Sequence, residues 1–184
     1  MVDGSSSIEY YGENNFHMMK EFMKNLTRSF SVSSSGTRVG VVVYSTNSTV
    51  VFTLNQYASP ERVEEAIDNI VYPSGGTNSG KALYQTANKL FDDAVVRDNV
   101  PKVLVLLTDG VSTDDVIQPA TLLSNKDVIV FVVGIGENIN YSQLTQIAYG
   151  QSEHVFKTEF SSLGFVMNNI RGAICRGSLI FYPC

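Results

Sequence analysis

Basic residues are in short supply: 13 Lys and Arg stand against 18 Asp and Glu, a formal net charge of −5. They are scattered without forming a basic stripe, which excludes a general nucleic-acid binder. No apolar run approaches the length of a membrane span. The longest, such as 127–133, suit buried strands, so direct membrane insertion is not expected. Histidine is scarcer still. His17 lies within a helical pattern and His154 opens a predicted strand, so neither joins a nucleophile and an acid as a hydrolase triad requires. The two cysteines, Cys175 and Cys184, sit at the C-terminal end with no zinc-ligand spacing, and two thiolates alone would not make a structural zinc site. An oxidising compartment would allow a disulfide, either between these two or to a partner outside this segment. No internal repeat or low-complexity segment is present, the nine tyrosines form no stacking platform, and Gly134-Ile135-Gly136 has Ile139 where a dinucleotide-binding turn needs a third glycine.

What is present is one domain's worth of chain, in which buried strands alternate with amphipathic helices. Phe16, Met19, Phe22, Met23, Leu26 and Phe30 recur at helical spacing, predicting a helix over 13–30. Valines 39, 41, 42 and 43 predict a strand over 38–44. A second follows over 49–54, and the short 45–48 connection makes the two an antiparallel hairpin. Ser59-Pro60-Glu61 carries the signals of a helix start, with a capping hydroxyl, a first-turn proline and an acidic residue. Further helices are expected over 78–95, 114–124, 141–149 and 161–174, with strands over 102–107, 128–133 and 154–156. Such alternation predicts an α/β fold: a doubly wound, mostly parallel sheet with one antiparallel edge strand and helices on both faces. Ligands of such folds bind beyond the carboxyl ends of the strands, where strand order reverses.

Three loop segments converge on that expected position. Asp3-Gly4-Ser5-Ser6-Ser7 opens the chain. Gly75-Gly76-Thr77 precedes a predicted helix, and Thr108-Asp109-Gly110 ends the apolar run 103–107. Each alone is ordinary turn chemistry. Together they supply two carboxylates and three hydroxyls, an all-oxygen set suited to a hard divalent cation such as Mg²⁺.

This combination resembles the von Willebrand factor A domain. Asp3, Ser5 and Ser7 match its Asp-X-Ser-X-Ser signature, and Thr77 and Asp109 match the other two elements of its metal-ion-dependent adhesion site. The likeness is closest to the extracellular A domains of matrix and adhesion proteins. It implies a domain over 1–175, with 176–184 as a tail or the start of a linker. It also implies Mg²⁺ (or Mn²⁺) held directly by Ser5 and Ser7, directly or through water by Thr77, and mostly through water by Asp3 and Asp109. An acidic side chain of a partner protein, Glu or Asp, would fill the open position, making the site a binding device and not an enzyme's. The chain departs from the family in its first strand, of which only Met1 and Val2 remain, and in lacking the cysteine with which Cys175 commonly pairs there. Cys184 is either a substitute partner or a link into the next module.

The enzyme alternative is a P-loop NTPase. Gly75 to Lys81 fits the phosphate-binding pattern until Ala82, which stands where a Ser or Thr should hold Mg²⁺, and Asp109 would end the accompanying strand. That reading leaves Asp3, Ser5 and Ser7 without a role. A second alternative is an A-domain scaffold that binds no metal. Asn25, Asn47 and Asn140 begin Asn-X-Ser/Thr sequons and lean towards a secreted, matrix or cell-surface setting. Since Met1 is followed at once by a polar loop motif and not by a signal peptide, a secretory reading expects this chain to be a segment of a longer protein.

Overall fold

The computed structural model describes residues 1–10, 12–92 and 94–177. Six strands, β1 (Val2–Asp3), β2 (Val41–Tyr44), β3 (Ser48–Phe52), β4 (Lys102–Thr108), β5 (Val128–Ile135) and β6 (Val155–Thr158), form one sheet in the order β3–β2–β1–β4–β5–β6. Every pairing is parallel except the β2–β3 hairpin, which places the antiparallel strand at the edge. β5 is buried almost throughout, which is why it reads as a continuous apolar run and not as an alternation.

The helices are α1 (Ser7–Tyr10), α2 (Asn15–Arg28), α3 (Pro60–Asp68), α4 (Ser79–Lys89), α5 (Ile117–Asn125), α6 (Tyr141–Ile147) and α7 (Leu163–Gly177). They divide between the two faces. Leu83 and Ala87 of α4, Leu123 of α5 and Leu144 of α6 pack on one side with Leu106 and Val130. Met19 and Phe22 of α2, Val63 and Ile67 of α3 and Ile170 of α7 pack on the other with Val43, Leu107 and Val133. The domain is thus doubly wound, as predicted.

Several boundaries differ from expectation, each for a local reason. Helix α2 begins at Asn15, not 13, because Asn14 takes a left-handed conformation (φ 69°) while the Glu9 carboxylate accepts from the Asn14 and Phe16 amides. Helix α4 stops at Lys89, not 95, where the Thr86 carbonyl accepts from both Leu90 and Phe91 and the chain turns. Helix α5 starts at Ile117, not 114, because Asp114 caps α4 instead. The strand expected over 38–44 is regular only over Val41–Tyr44, with a register shift at Val41/Val42. His154 ends a 3₁₀ turn just before β6 and stacks on Phe131 with ring centroids 4.4 Å apart. Helix α7 passes the expected domain boundary at 175 by two residues, and Cys184, with any pairing to Cys175, lies outside the described residues.

Strand β1 is central yet two residues long. Met1 extends its ladder, donating from its amino group to the Val105 carbonyl (2.9 Å) and accepting from the Leu107 amide (3.0 Å). Burial pushes that α-amine down to about 5. Strand order reverses at β1, between β2 and β4, and this is where the predicted site residues fall.

Candidate functional site

The register of the central strands brings the two carboxylates together. Val2 pairs with Val43 on one side and Leu107 on the other, so Asp3 leaves the sheet beside Thr108, one residue before Asp109. Asp3 is fully buried and held through both carboxylate oxygens. Its Oδ1 accepts from the Ser5 amide (2.8 Å), and its Oδ2 accepts from Thr108 Oγ1 (2.7 Å) and Tyr44 Oη (3.3 Å). Ser79 Oγ in turn donates to Tyr44 Oη (3.0 Å).

Hydroxyls link the two acids. Ser5 Oγ and Ser7 Oγ lie 3.0 Å apart, and Ser7 Oγ donates to Asp109 Oδ1 (2.8 Å). Ser5 is buried, with its carbonyl accepting from Tyr72 Oη (2.6 Å), and the next amide, that of Ser6, donates to the Gly75 carbonyl (2.8 Å). That last bond clamps the first loop to the Gly75-Gly76-Thr77 segment. Gly75 has φ 111°, and a Cβ there would meet Thr46 Oγ1 at 2.8 Å, so the turn needs glycine. Thr77 is anchored through its carbonyl, which accepts from the Thr113 amide (2.9 Å). Its side chain faces the same point: a Cβ added to Gly110 would lie 3.6 Å from Thr77 Oγ1 and 3.9 Å from Ser7 Oγ. All five predicted residues therefore gather at the carboxyl ends of β1 and β4.

The cluster's electrostatics are unbalanced. Asp109 is buried, and its Oδ2 has no hydrogen-bond partner. Burial raises its pKa to about 6; the Ser7 hydrogen bond opposes this and the negative charge of Asp3 adds to it. Asp3 is raised as well, by burial first, although its hydrogen bonds to Thr108, Ser5 and Tyr44 oppose the rise. Two desolvated carboxylates side by side, one with an unpaired oxygen, form a field that a cation would relieve. Among the described residues no group of three or more His, Cys, Asp or Glu is placed to hold a metal. A cation here would therefore rely on hydroxyls, and oxygen-only ligation suits Mg²⁺, Mn²⁺ or a similar ion.

Sequence reasoning missed the supporting polar residues. Thr108 and Tyr44 face Asp3 only because of the strand register, which no local pattern announces. Asp114 accepts from the Gly80 and Lys81 amides (2.8 and 2.7 Å) and from Ser112 Oγ (2.6 Å), joining the β4–α5 loop to the start of α4. These bonds also bear on the phosphate-loop reading. The Gly76 amide donates to Thr46 Oγ1, Asn78 to the Ser45 carbonyl and Ser79 to Ser112 Oγ. Lys81 Nζ points to Asn47 Oδ1 (3.0 Å). Of the amides that would cradle a phosphate, those of Gly76, Asn78, Ser79, Gly80 and Lys81 are thus engaged by the protein itself.

Comparison with known proteins agrees with this geometry. The profile of the von Willebrand factor type A domain matches residues 1–169. The human collagen alpha-5(VI) chain is 40% identical over 159 residues, covering 86% of this chain and 6% of its own length. Mouse matrilin-4 is 33% identical over 181 residues, covering 95% of this chain and 28% of its own. Among solved structures, proximal thread matrix protein 1 from the mussel byssus superposes with a TM-score of 0.88 at 31% identity over 95% of this chain and 46% of that one. One structure of that mussel protein has a zinc-occupied MIDAS motif. The chain thus spans less than half the length of each of these relatives.

Proposed function

The chain belongs to the von Willebrand factor type A family, and from that premise we propose that it is a divalent-cation-dependent protein-binding module of the extracellular matrix or cell surface. One observation carries the reading: the buried, unpartnered Oδ2 of Asp109, set among Asp3, Ser5, Ser7 and Thr77. Ser5 and Ser7 would hold Mg²⁺ or Mn²⁺ through their hydroxyls, Thr77 directly or through water, and Asp3 and Asp109 through water. The bound ion supplies an electrophilic position that accepts a Glu or Asp carboxylate of a partner protein, a matrix component such as a collagen being one candidate. Neutral hydroxyls leave that position strongly electrophilic, and the buried carboxylates offset the remaining charge. The Asp3 hydrogen bonds to Thr108 and Tyr44 fix its orientation in the absence of the ion. The module takes in α7 to its end at Gly177. The sequon residues Asn25, Asn47 and Asn140 are all exposed and so open to glycosylation.

Isothermal calorimetry with Mg²⁺ or Mn²⁺, then with MgATP, tests the proposal. Saturable cation binding with no added nucleotide effect is expected, and an acidic peptide should bind only in the presence of cation. Binding only as MgATP, lost in Lys81→Ala, would replace the proposal with a nucleotide-binding role. Partner binding unchanged by chelator would leave a metal-free scaffold.

The Asp109 pKa adds a pH signature. Cation and proton compete for the same carboxylates, so affinity should be constant above about pH 7 and fall below about pH 6, by about tenfold per pH unit once one proton must be displaced. Calorimetric titrations at pH 5.0, 6.0 and 7.5 measure this. A flat profile would remove Asp109 from the site.

A further inference from the structure

The three sequon asparagines occupy different settings in the fold. Asn25 lies inside α2, and Asn140 is the N-cap of α6, its Oδ1 accepting from the Gln143 amide (3.1 Å). Asn47 instead sits in the turn between β2 and the edge strand β3, and both it and the sequon's third residue, Thr49, are exposed. The turn is tied at its base. The Ser45 amide donates to the Asn47 carbonyl (2.8 Å), and Asn78 Nδ2 donates to the Thr46 carbonyl (2.9 Å). Lys81 Nζ holds the Asn47 side chain through its Oδ1 (3.0 Å), while Nδ2 has no hydrogen-bond partner among the described residues. Nδ2 is the atom that N-glycosylation modifies.

Beside this turn a groove of about 310 Å³ separates the hairpin from α4. Asn47 and Ser48 form one wall, and Lys81, Tyr84, Gln85 and Asn88 form the other. The four α4 residues stand at i, i+3, i+4 and i+7, one face of a helix. Helical side chains lean towards the N-terminus, which carries the Tyr84 ring back over the turn that holds Lys81. Tyr84 is 61% exposed, whereas Leu83 and Ala87 of the same helix are fully buried, so the ring serves no core. It offers a flat apolar surface edged by side-chain amides and an ammonium, with no carboxylate in the lining to attract a cation. A pyranose divides in the same way, into an apolar C–H face and a rim of hydroxyls.

We propose that Asn47 carries an N-linked glycan and that this groove seats its first sugar, an N-acetylglucosamine, with the C–H face of the sugar on Tyr84. The donor is a lipid-linked oligosaccharide of the secretory route. The bond from Asn47 Nδ2 to the sugar C1 forms, the bond from C1 to the diphosphate oxygen breaks, and Nδ2 gives up one of its two protons as the polyprenyl diphosphate leaves. Oδ1 keeps its bond from Lys81, so attachment leaves the turn intact. Being tethered, the sugar meets Tyr84 at high effective concentration, and modest stacking suffices to order it. The inference rests on the extracellular setting alone and stands or falls independently of the cation site.

The full chain, secreted from eukaryotic cells on a fused signal peptide, should show a glycan on Asn47 by peptide mass mapping. Trimmed by an endoglycosidase to the single N-acetylglucosamine, it should melt roughly 2–4 °C above Asn47→Gln prepared and trimmed in the same way. Tyr84→Ser should remove at least half of that difference, and Tyr84→Phe should keep it. In NMR spectra the sugar C–H protons should give cross-peaks to the Tyr84 ring. The proposal is overturned if Asn47 is unmodified, if Asn47→Gln melts as high as the trimmed protein, or if the difference survives in Tyr84→Ser.

Discussion

Asp109→Asn should abolish measurable cation binding and, in chelator, make the chain more stable than the unmodified protein. The two effects share one cause. The native carboxyl is buried beside Asp3 and titrates at about 6 instead of near 4, with burial the larger cause. Between about pH 4 and pH 6 the native group keeps a proton that the unfolded one has released. Stability of the cation-free chain therefore falls as pH rises through that window and stays low above it. A carboxyl that titrates one pH unit higher in the folded chain than in the unfolded one costs about 1.4 kcal/mol once both are ionised. With partial solvent access at the site, the gain for Asn at pH 7.5 should be about 1–2 kcal/mol, or roughly 2–8 °C in Tm.

Cation should reverse the ranking. The unmodified chain gains about 2.7 kcal/mol at a hundredfold excess over Kd, whereas the Asn variant, with no measurable affinity, gains nothing. Asp109→Ala should lose cation binding equally but gain less stability in chelator, since Ser7 Oγ loses its acceptor and a void remains. Thermal melts of the three proteins with and without Mg²⁺ decide the matter. Retained cation binding in the Asn variant would sink the site assignment. An Asn variant less stable in chelator would mean that burial and the Asp3 charge do not strain the native carboxylate.

The legible features were those with strong local patterns. The apolar runs of β4 and β5 and the periodic face of α2 announced themselves, as did Ser59, which caps α3 by accepting from the Arg62 amide. The five clustered oxygen-bearing residues were legible because their three loops carry a recognisable spacing. What failed was what depends on distant partners. The start of α2 is decided by Glu9, a carboxylate outside it, and the start of α5 is displaced because Asp114 reaches across to α4. Val39 reads as strand by composition, but the β2–β3 ladder shifts register between Val41 and Val42 and the regular strand begins only at Val41. The polar residues that steady Asp3 come from adjacent strands, so they follow from register and not from any motif.

Gly80 gives the sharpest test of how the site is held together. It lies in the first turn of α4 and is buried. By helix propensity alone, Ala there should stabilise by about 1 kcal/mol. Packing gives the opposite sign. A Cβ at Gly80 would fall 1.9 Å from the Asp115 carbonyl oxygen and 3.0 Å from Asp114 Oδ1. The obstruction is backbone, so helix and loop must separate, breaking the two amide bonds to Asp114 that cap α4. Overpacking of about 1–3 kcal/mol together with a lost cap of about 0.5–2 kcal/mol makes Gly80→Ala destabilising by about 0.5–4 kcal/mol after the propensity gain of about 1 kcal/mol. Gly164 in α7 is the control, because a Cβ there meets nothing within 4 Å, so Gly164→Ala should be neutral to stabilising by up to about 1 kcal/mol. The same loop carries Asp109 and, through Thr113, anchors Thr77, so cation affinity should fall along with stability in Gly80→Ala and stay unchanged in Gly164→Ala. Urea unfolding with parallel Mn²⁺ titration reads both quantities. A Gly80→Ala protein with unchanged stability and altered nucleotide binding would instead mean that this glycine is kept for a phosphate, and the loop would have to be reassigned.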